Sequence, residues 1–183
     1  MRAVIVRGTI AALLSALVVV SCAPTTPEAT AAPTRVPTAP MVGVKEGNMA
    51  PNLTLSDLEG RTVSLADFAG RPVLVNFWAV WCGFCQVELP EMQAVYETYK
   101  DSGFAILAVD VQEEKHLVQD YANELGLMFP VLLDTKGEVT RSYRVRGLPT
   151  SYFIDPNGVI LDVQVGPVDV AWMENNLAQV GVE

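Results

Sequence analysis

Residues 73 to 85 constrain this chain more than any other stretch. Val73-Leu74-Val75-Asn76-Phe77-Trp78 is a nearly continuous apolar run, which predicts a central strand covered on both faces. Trp81-Cys82-Gly83-Phe84-Cys85 follows almost at once, and a helix is expected from about Cys82 to Tyr99, interrupted and kinked at Pro90. Two cysteines at that spacing, where a buried strand hands over to a helix, have chemical consequences. The thiolate is the nucleophilic form of cysteine, and a helix N-terminus favours it with unpaired N–H groups and partial positive charge. Cys82, in the first turn, feels this most and is the expected attacking thiol. Cys85, one turn deeper on the same side, is placed to close the ring. The competing readings are half a metal site or two unrelated core cysteines. A closed zinc site needs four ligands, and the chain offers beyond this pair one thiol, Cys22, and one histidine, His116. No metal is expected.

The elements around this junction alternate. Residues 53–55 and 61–65, joined by Asp57-Leu58-Glu59-Gly60, predict a short hairpin, and 67–70 a turn of helix closed by glycine. Residues 104–109 form the next buried strand. Leu117, Tyr121 and Leu125, with Val118 beside them and Gly126 as stop, predict a helix over 116–125. Residues 129–133 suggest a strand and 138–143 one or two helical turns. Strands over 151–154 and 159–165 are joined by the turn Asp155-Pro156-Asn157-Gly158, and Val170, Met173, Leu177 and Val180 mark the inner face of a closing helix. The order predicts an α/β domain with a mixed sheet and helices on both faces.

The first residues read differently. Arg2 and Arg7 precede the uncharged run Thr9 to Val20, too short to span a bilayer and typical of an export signal. The run ends in Val19-Val20-Ser21-Cys22, which resembles the lipobox of bacterial lipoproteins. That resemblance implies removal of 1–21, lipid on Cys22 and a chain held at a membrane face. An ordinary cleavage site, or an uncleaved anchor with an incidental cysteine, are the alternatives. Pro24, Pro27, Pro33, Pro37 and Pro40, set among Ala and Thr, make 22–48 a semi-extended linker, leaving 49–183 as the folded domain. Removing Arg2 and Arg7 takes two positive charges from a net −9, leaving −11. Such a surface excludes a nucleic-acid partner and disfavours attraction to anionic lipid.

From about residue 50 to 180 the sequence resembles the extracytoplasmic thioredoxin-like family that includes the TlpA, ResA and CcmG proteins. The resemblance is carried by Ala50-Pro51-Asn52-Leu53 with Val63-Ser64-Leu65, by the run from Val75 to Cys85, by Glu88-Leu89-Pro90, and by Gly147-Leu148-Pro149-Thr150. It implies a thioredoxin-like mixed sheet flanked by helices, with an N-terminal β-hairpin extension and a central insert. It also implies thiol–disulfide exchange through Cys82 and Cys85, with no cofactor beyond their redox-active disulfide. One departure is plain: Phe84 stands where the family usually has proline, which bears on the redox potential.

The same resemblance assigns the neighbours. Pro149, which from sequence alone would be an ordinary trans proline, becomes the family's cis-proline, turning the backbone of Leu148 toward a substrate peptide. Glu88, three residues past Cys85, becomes a carboxyl that takes a proton from Cys85; Glu91 and Glu97 are read as solvated. Trp81, Gly83 and Phe84 are expected to meet the partner, and Trp78 to pack. From the residues themselves, Asp110, Glu113 and Glu114 follow a strand end and read as a solvated loop, with partner recognition as the alternative; His116 reads as a surface residue, and Arg141, Arg144 and Arg146 as a solvated face near enough to Pro149 to touch an acidic partner.

The leading expectation is a membrane-tethered reductase of disulfides in exported proteins. Apocytochromes c are candidate substrates, and a membrane electron donor recharges the pair. The same exchange run backwards would oxidise exported thiols. A thiol peroxidase is a weaker alternative, since Val75 and Ala79 occupy the places where those proteins carry Pro and Thr. A copper chaperone is another, but the cysteine spacing is narrower and His116 lies in the wrong region.

Overall fold

A computed structural model describes residues 40–182; the expected export signal, Cys22 and the linker as far as residue 39 lie outside the described residues. The expected hairpin is present as β1 (Thr54–Asp57) and β2 (Thr62–Ser64), paired antiparallel. Asp57 fastens its turn, accepting from the Glu59 and Arg61 backbone N–H groups and from Arg61 Nε at 3.0, 2.8 and 2.7 Å. Gly60 takes a φ of 82°, which a residue without Cβ adopts freely.

Three parallel strands form the centre: β3 (Val73–Trp78), β4 (Ala105–Val111) and β5 (Val131–Asp134). Helices α1 (Gly83–Tyr99) and α2 (Lys115–Leu125) connect them. The short α3 (Glu138–Ser142) leads to β6 (Thr150–Ile154), antiparallel to β3, then to β7 (Ile160–Val165) and α4 (Val170–Gln179). The seven strands lie in the order β2-β1-β5-β4-β3-β6-β7. All six residues of β3 are buried, as its apolar run requires.

The alternation of side chains along β3 gives the sheet two apolar faces. Leu74 and Trp78 pack with Leu89 and Met92 of α1, Val118 of α2, and Met173 and Leu177 of α4. Val75 and Phe77 pack on the other face with Leu53, Tyr143 and Tyr152. Tyr143 and Tyr152 keep their hydroxyls satisfied there, donating to the Pro51 and Tyr143 carbonyls, each at 2.6 Å.

The structure departs from expectation in four places. Helix α1 is continuous, with Pro90 inside it. Leu117 is 47 % exposed, because 3.6 residues per turn set it about 100° off the line of Val118, Ala122 and Leu125. Asp110 is not in a solvated loop: β4 continues past Val109, and Asp110 pairs in register with Trp78 on one side and Leu133 on the other. Finally, the folded unit starts before residue 49. Gly47 N–H donates to the Ile160 carbonyl and Ile160 N–H to the Asn48 carbonyl, each at 2.9 Å, laying residues 47–49 against the start of β7. Among the described residues no helix is long and apolar enough to cross a membrane.

Candidate active site

Cys82 and Cys85 stand where β3, after a short turn, delivers the chain to α1. They form a disulfide, with their Cα atoms 5.2 Å apart. Cys82 is the N-cap of α1: its backbone is extended, and its Sγ accepts from the Cys85 N–H at 3.2 Å. A sulfur in that position receives an N–H that the helix leaves unpaired, and a thiolate would accept it more strongly than a thiol. Cys82 is 5 % exposed and Cys85 is fully buried, so an incoming group reaches Cys82 first. Trp81 and Phe84, 70 % and 67 % exposed, stand beside it as large apolar surfaces in water, and Gly83 is exposed between them.

Glu88 lies one turn beyond Cys85 on the inner side of α1 and is 1 % exposed. Its Oε1 accepts from Asn76 Nδ2 of β3, and its Oε2 from the Val168 N–H ahead of α4, each at 2.9 Å. Burial raises its pKa from 4.5 to about 7, against the two hydrogen bonds that pull the other way. No cation pairs with it among the described residues. A carboxyl poised there can hold or release a proton near neutrality.

Leu148–Pro149 is a cis peptide, as the resemblance implies. Pro149 immediately precedes Thr150, the register partner of Phe77, which sets it alongside the end of β3 from which the cysteine turn departs. Its carbonyl accepts from the Gly166 N–H at 2.9 Å, and Thr150 Oγ1 donates to the Gly147 carbonyl at 2.8 Å, fastening the loop at both ends. Leu148 is half-buried and Pro149 buried.

The other residues singled out above fall away from this group. Trp78 packs wholly inside, His116 is exposed with its Nδ1 3.3 Å from Glu114, and Arg141, Arg144 and Arg146 are exposed. A cavity of about 250 Å³ lined by Met49, Phe68, Arg71 and Ile154 lies at the opposite end of β6. Sequence reasoning missed Asn76 and Ser151, which face each other in the β3–β6 register and share a hydrogen bond at 2.9 Å. The available signal was Asn76 itself, a lone amide in an otherwise apolar central strand.

The AhpC/TSA family model matches residues 47–163. The thiol-disulfide oxidoreductase ResA of Geobacillus kaustophilus is 38 % identical over 137 residues, covering 75 % of this chain and 79 % of that one. This chain belongs to the ResA-type thiol–disulfide oxidoreductases of the AhpC/TSA family. ResA of Bacillus subtilis is 40 % identical over 123 residues, 67 % of this chain and 69 % of its own. A crystal structure of a thiol:disulfide interchange protein DsbE from Chlorobium tepidum superposes with a TM-score of 0.70 at 32 % identity, covering 75 % of this chain and 99 % of that one. The thioredoxin-like fold and the disulfide oxidoreductase activity of this ResA-type protein rest on these matches together with the Cys82–Cys85 pair.

Proposed function

We propose that this ResA-type oxidoreductase reduces disulfides in exported proteins while held at a membrane face by lipid on Cys22, and that apocytochromes c are among its substrates. The observation that carries the reading is the placement of Cys82 Sγ at the N-cap of α1, with a buried carboxyl one turn behind its partner. In the reduced protein the Cys82 thiolate attacks one sulfur of a substrate disulfide. A mixed disulfide forms and the substrate's other sulfur leaves as a thiolate. Cys85 then loses its proton to Glu88 and attacks Cys82 Sγ. The substrate's second thiolate is released, and two electrons have passed to the substrate. A membrane dithiol donor returns them by the same exchange in reverse. Trp81, Gly83 and Phe84 meet the substrate on one side, and Leu148, turned by the cis bond to Pro149, offers its backbone on the other, in the manner of strand addition.

The test is a Cys85→Ser variant in cells, which should accumulate mixed disulfides on Cys82. Apocytochromes c among the captured proteins would support the substrate class. If Cys82 captures client dithiols only after it has been oxidised to a mixed disulfide with a small thiol, which the client thiolate then displaces, the direction is reversed. A variant that captures nothing, while Cys82 stays open to alkylation, would overturn the mechanism. Labelled fatty acid should enter the wild-type protein and not Cys22→Ser; equal labelling of the two removes the lipid tether.

A further inference from the structure

Val80, two residues before Cys82, has both of its backbone polar groups held by side chains. Its N–H donates to Glu113 Oε2 at 2.6 Å, and its carbonyl accepts from Gln86 Nε2 at 2.7 Å. The first contact reaches across from the loop after β4, the second comes from α1 itself. Glu113 is in turn fixed by Asp110, whose Oδ1 accepts from the Glu113 N–H at 3.3 Å. Asp110 is fully buried at the register position opposite Trp78, the last residue of β3. Its Oδ2 and the Trp78 indole Nε1 are both buried and without a hydrogen-bond partner among the described residues.

A buried carboxylate with an unpartnered oxygen, beside a second carboxylate and with no cation, is not stable with both groups ionised. The charged groups acting on Asp110 are Glu113 and, from the end of β5, Asp134. Asp134 is occupied by the Glu138 and Thr140 backbone N–H groups and the Thr140 hydroxyl. Strand β3 contributes only the uncharged indole of Trp78. Burial, and then the Glu113 carboxyl, push the Asp110 carboxyl well above the usual carboxylate range. Asp110 therefore keeps its proton through neutrality.

We infer that Glu113 is a positioning residue for thiol–disulfide exchange, clamping the Val80 turn that presents Cys82, and that Asp110 holds the single proton that lets Glu113 stay there. The inference rests on Cys82 being the attacking thiol. When the proton leaves in alkali, two like charges adjoin, the Asp110 one buried; the half-buried Glu113 withdraws toward water, and the turn that sets Cys82 at the tip of α1 loosens.

The test measures the alkylation rate of Cys82 in the reduced protein, and its reduction of a model peptide disulfide, from neutral to alkaline pH. Glu113→Ala should slow disulfide reduction about tenfold at neutral pH and raise the Cys82 thiol pKa. Glu113→Gln keeps an acceptor for Val80 and has no charge to expel it, so it should match the wild type at neutral pH and lose the alkaline decline. Asp110→Asn, nearly the same shape, should also abolish the decline. Unchanged rates and thiol pKa in Glu113→Ala would overturn the inference, as would an alkaline decline that persists in both Glu113→Gln and Asp110→Asn. If the reagent marks Cys85 in preference to Cys82 in the wild type, the assignment of the attacking thiol fails instead, and the two failures are told apart by where the label lies.

Discussion

Asn76 donates to Glu88 Oε1 at 2.9 Å, so the single polar side chain of β3 is the partner of the one fully buried carboxyl of α1. The same Nδ2 donates to Ser151 Oγ, also at 2.9 Å. The arrangement ties the central strand, the cysteine helix and β6 into one polar node inside an apolar face. Because Asn76 is a donor to the carboxyl, it favours the ionised form of Glu88 and opposes the effect of burial.

Glu88→Gln should change the pH dependence of both stability and turnover. The folded pKa is raised from 4.5 to about 7, so the folded state retains a proton that the unfolded chain has released. Stability from this group is therefore complete below pH 4.5 and falls as pH rises through 7, by about 3 kcal/mol across the window. Denaturant unfolding of the variant should show that slope removed. Its mixed disulfide with a model substrate should resolve roughly ten- to a hundredfold more slowly at neutral pH.

Asn76→Ala removes a donor from two buried acceptors at once. Unfolding experiments should register a loss of about 2–4 kcal/mol. With the ionised form of Glu88 deprived of a hydrogen bond, the pH midpoint of mixed-disulfide resolution should move upward. A midpoint that stays in place would separate Asn76 from the proton transfer.

Trp81→Ala and Phe84→Ala delete exposed apolar surface, 70 % and 67 % open to solvent in the folded chain. Thermal unfolding should shift by no more than about 0.5 kcal/mol equivalent in either variant. KM for a peptide disulfide should rise several-fold, with kcat nearly unchanged, if these rings bind ground state and transition state alike. A fall in kcat alone would instead place them in the reaction step.

Tyr143→Phe probes the far face of the sheet. The Tyr143 hydroxyl donates to the Pro51 carbonyl at 2.6 Å and pins the segment ahead of the hairpin. Losing it should cost about 1–2 kcal/mol in unfolding free energy and leave exchange rates untouched. A large loss of activity would show that the two faces communicate.

Much of the fold was legible because its signals are local. The apolar run of β3, the turn at 155–158 and the glycine closing α2 each follow from a few neighbouring residues. The cysteine pair was legible for the same reason, and Glu88 because it lies one helical turn away. Asn76, Ser151, Asp110 and Glu113 were not, since their meaning depends on which strands become neighbours. Asn76 meets Ser151 only through the β3–β6 pairing, across 75 residues of chain. Asp110 looked like the start of a wet loop until pairing on both sides drew it into β4. Strand boundaries move when partners flank them, and periodicity carries no record of that.

The placement of residues 47–49 against the start of β7 gives the domain a polarity. Strand β7 runs from that attachment to Gly166, whose N–H meets Pro149 beside the cysteine turn. Six strand residues at about 3.3 Å each separate the two ends by roughly 17–20 Å. A pull exerted on the chain upstream of Pro40 arrives at the pole remote from the sulfur atoms. Within the domain itself, the segment at 47–49 and the cysteine turn therefore stand at opposite ends of β7.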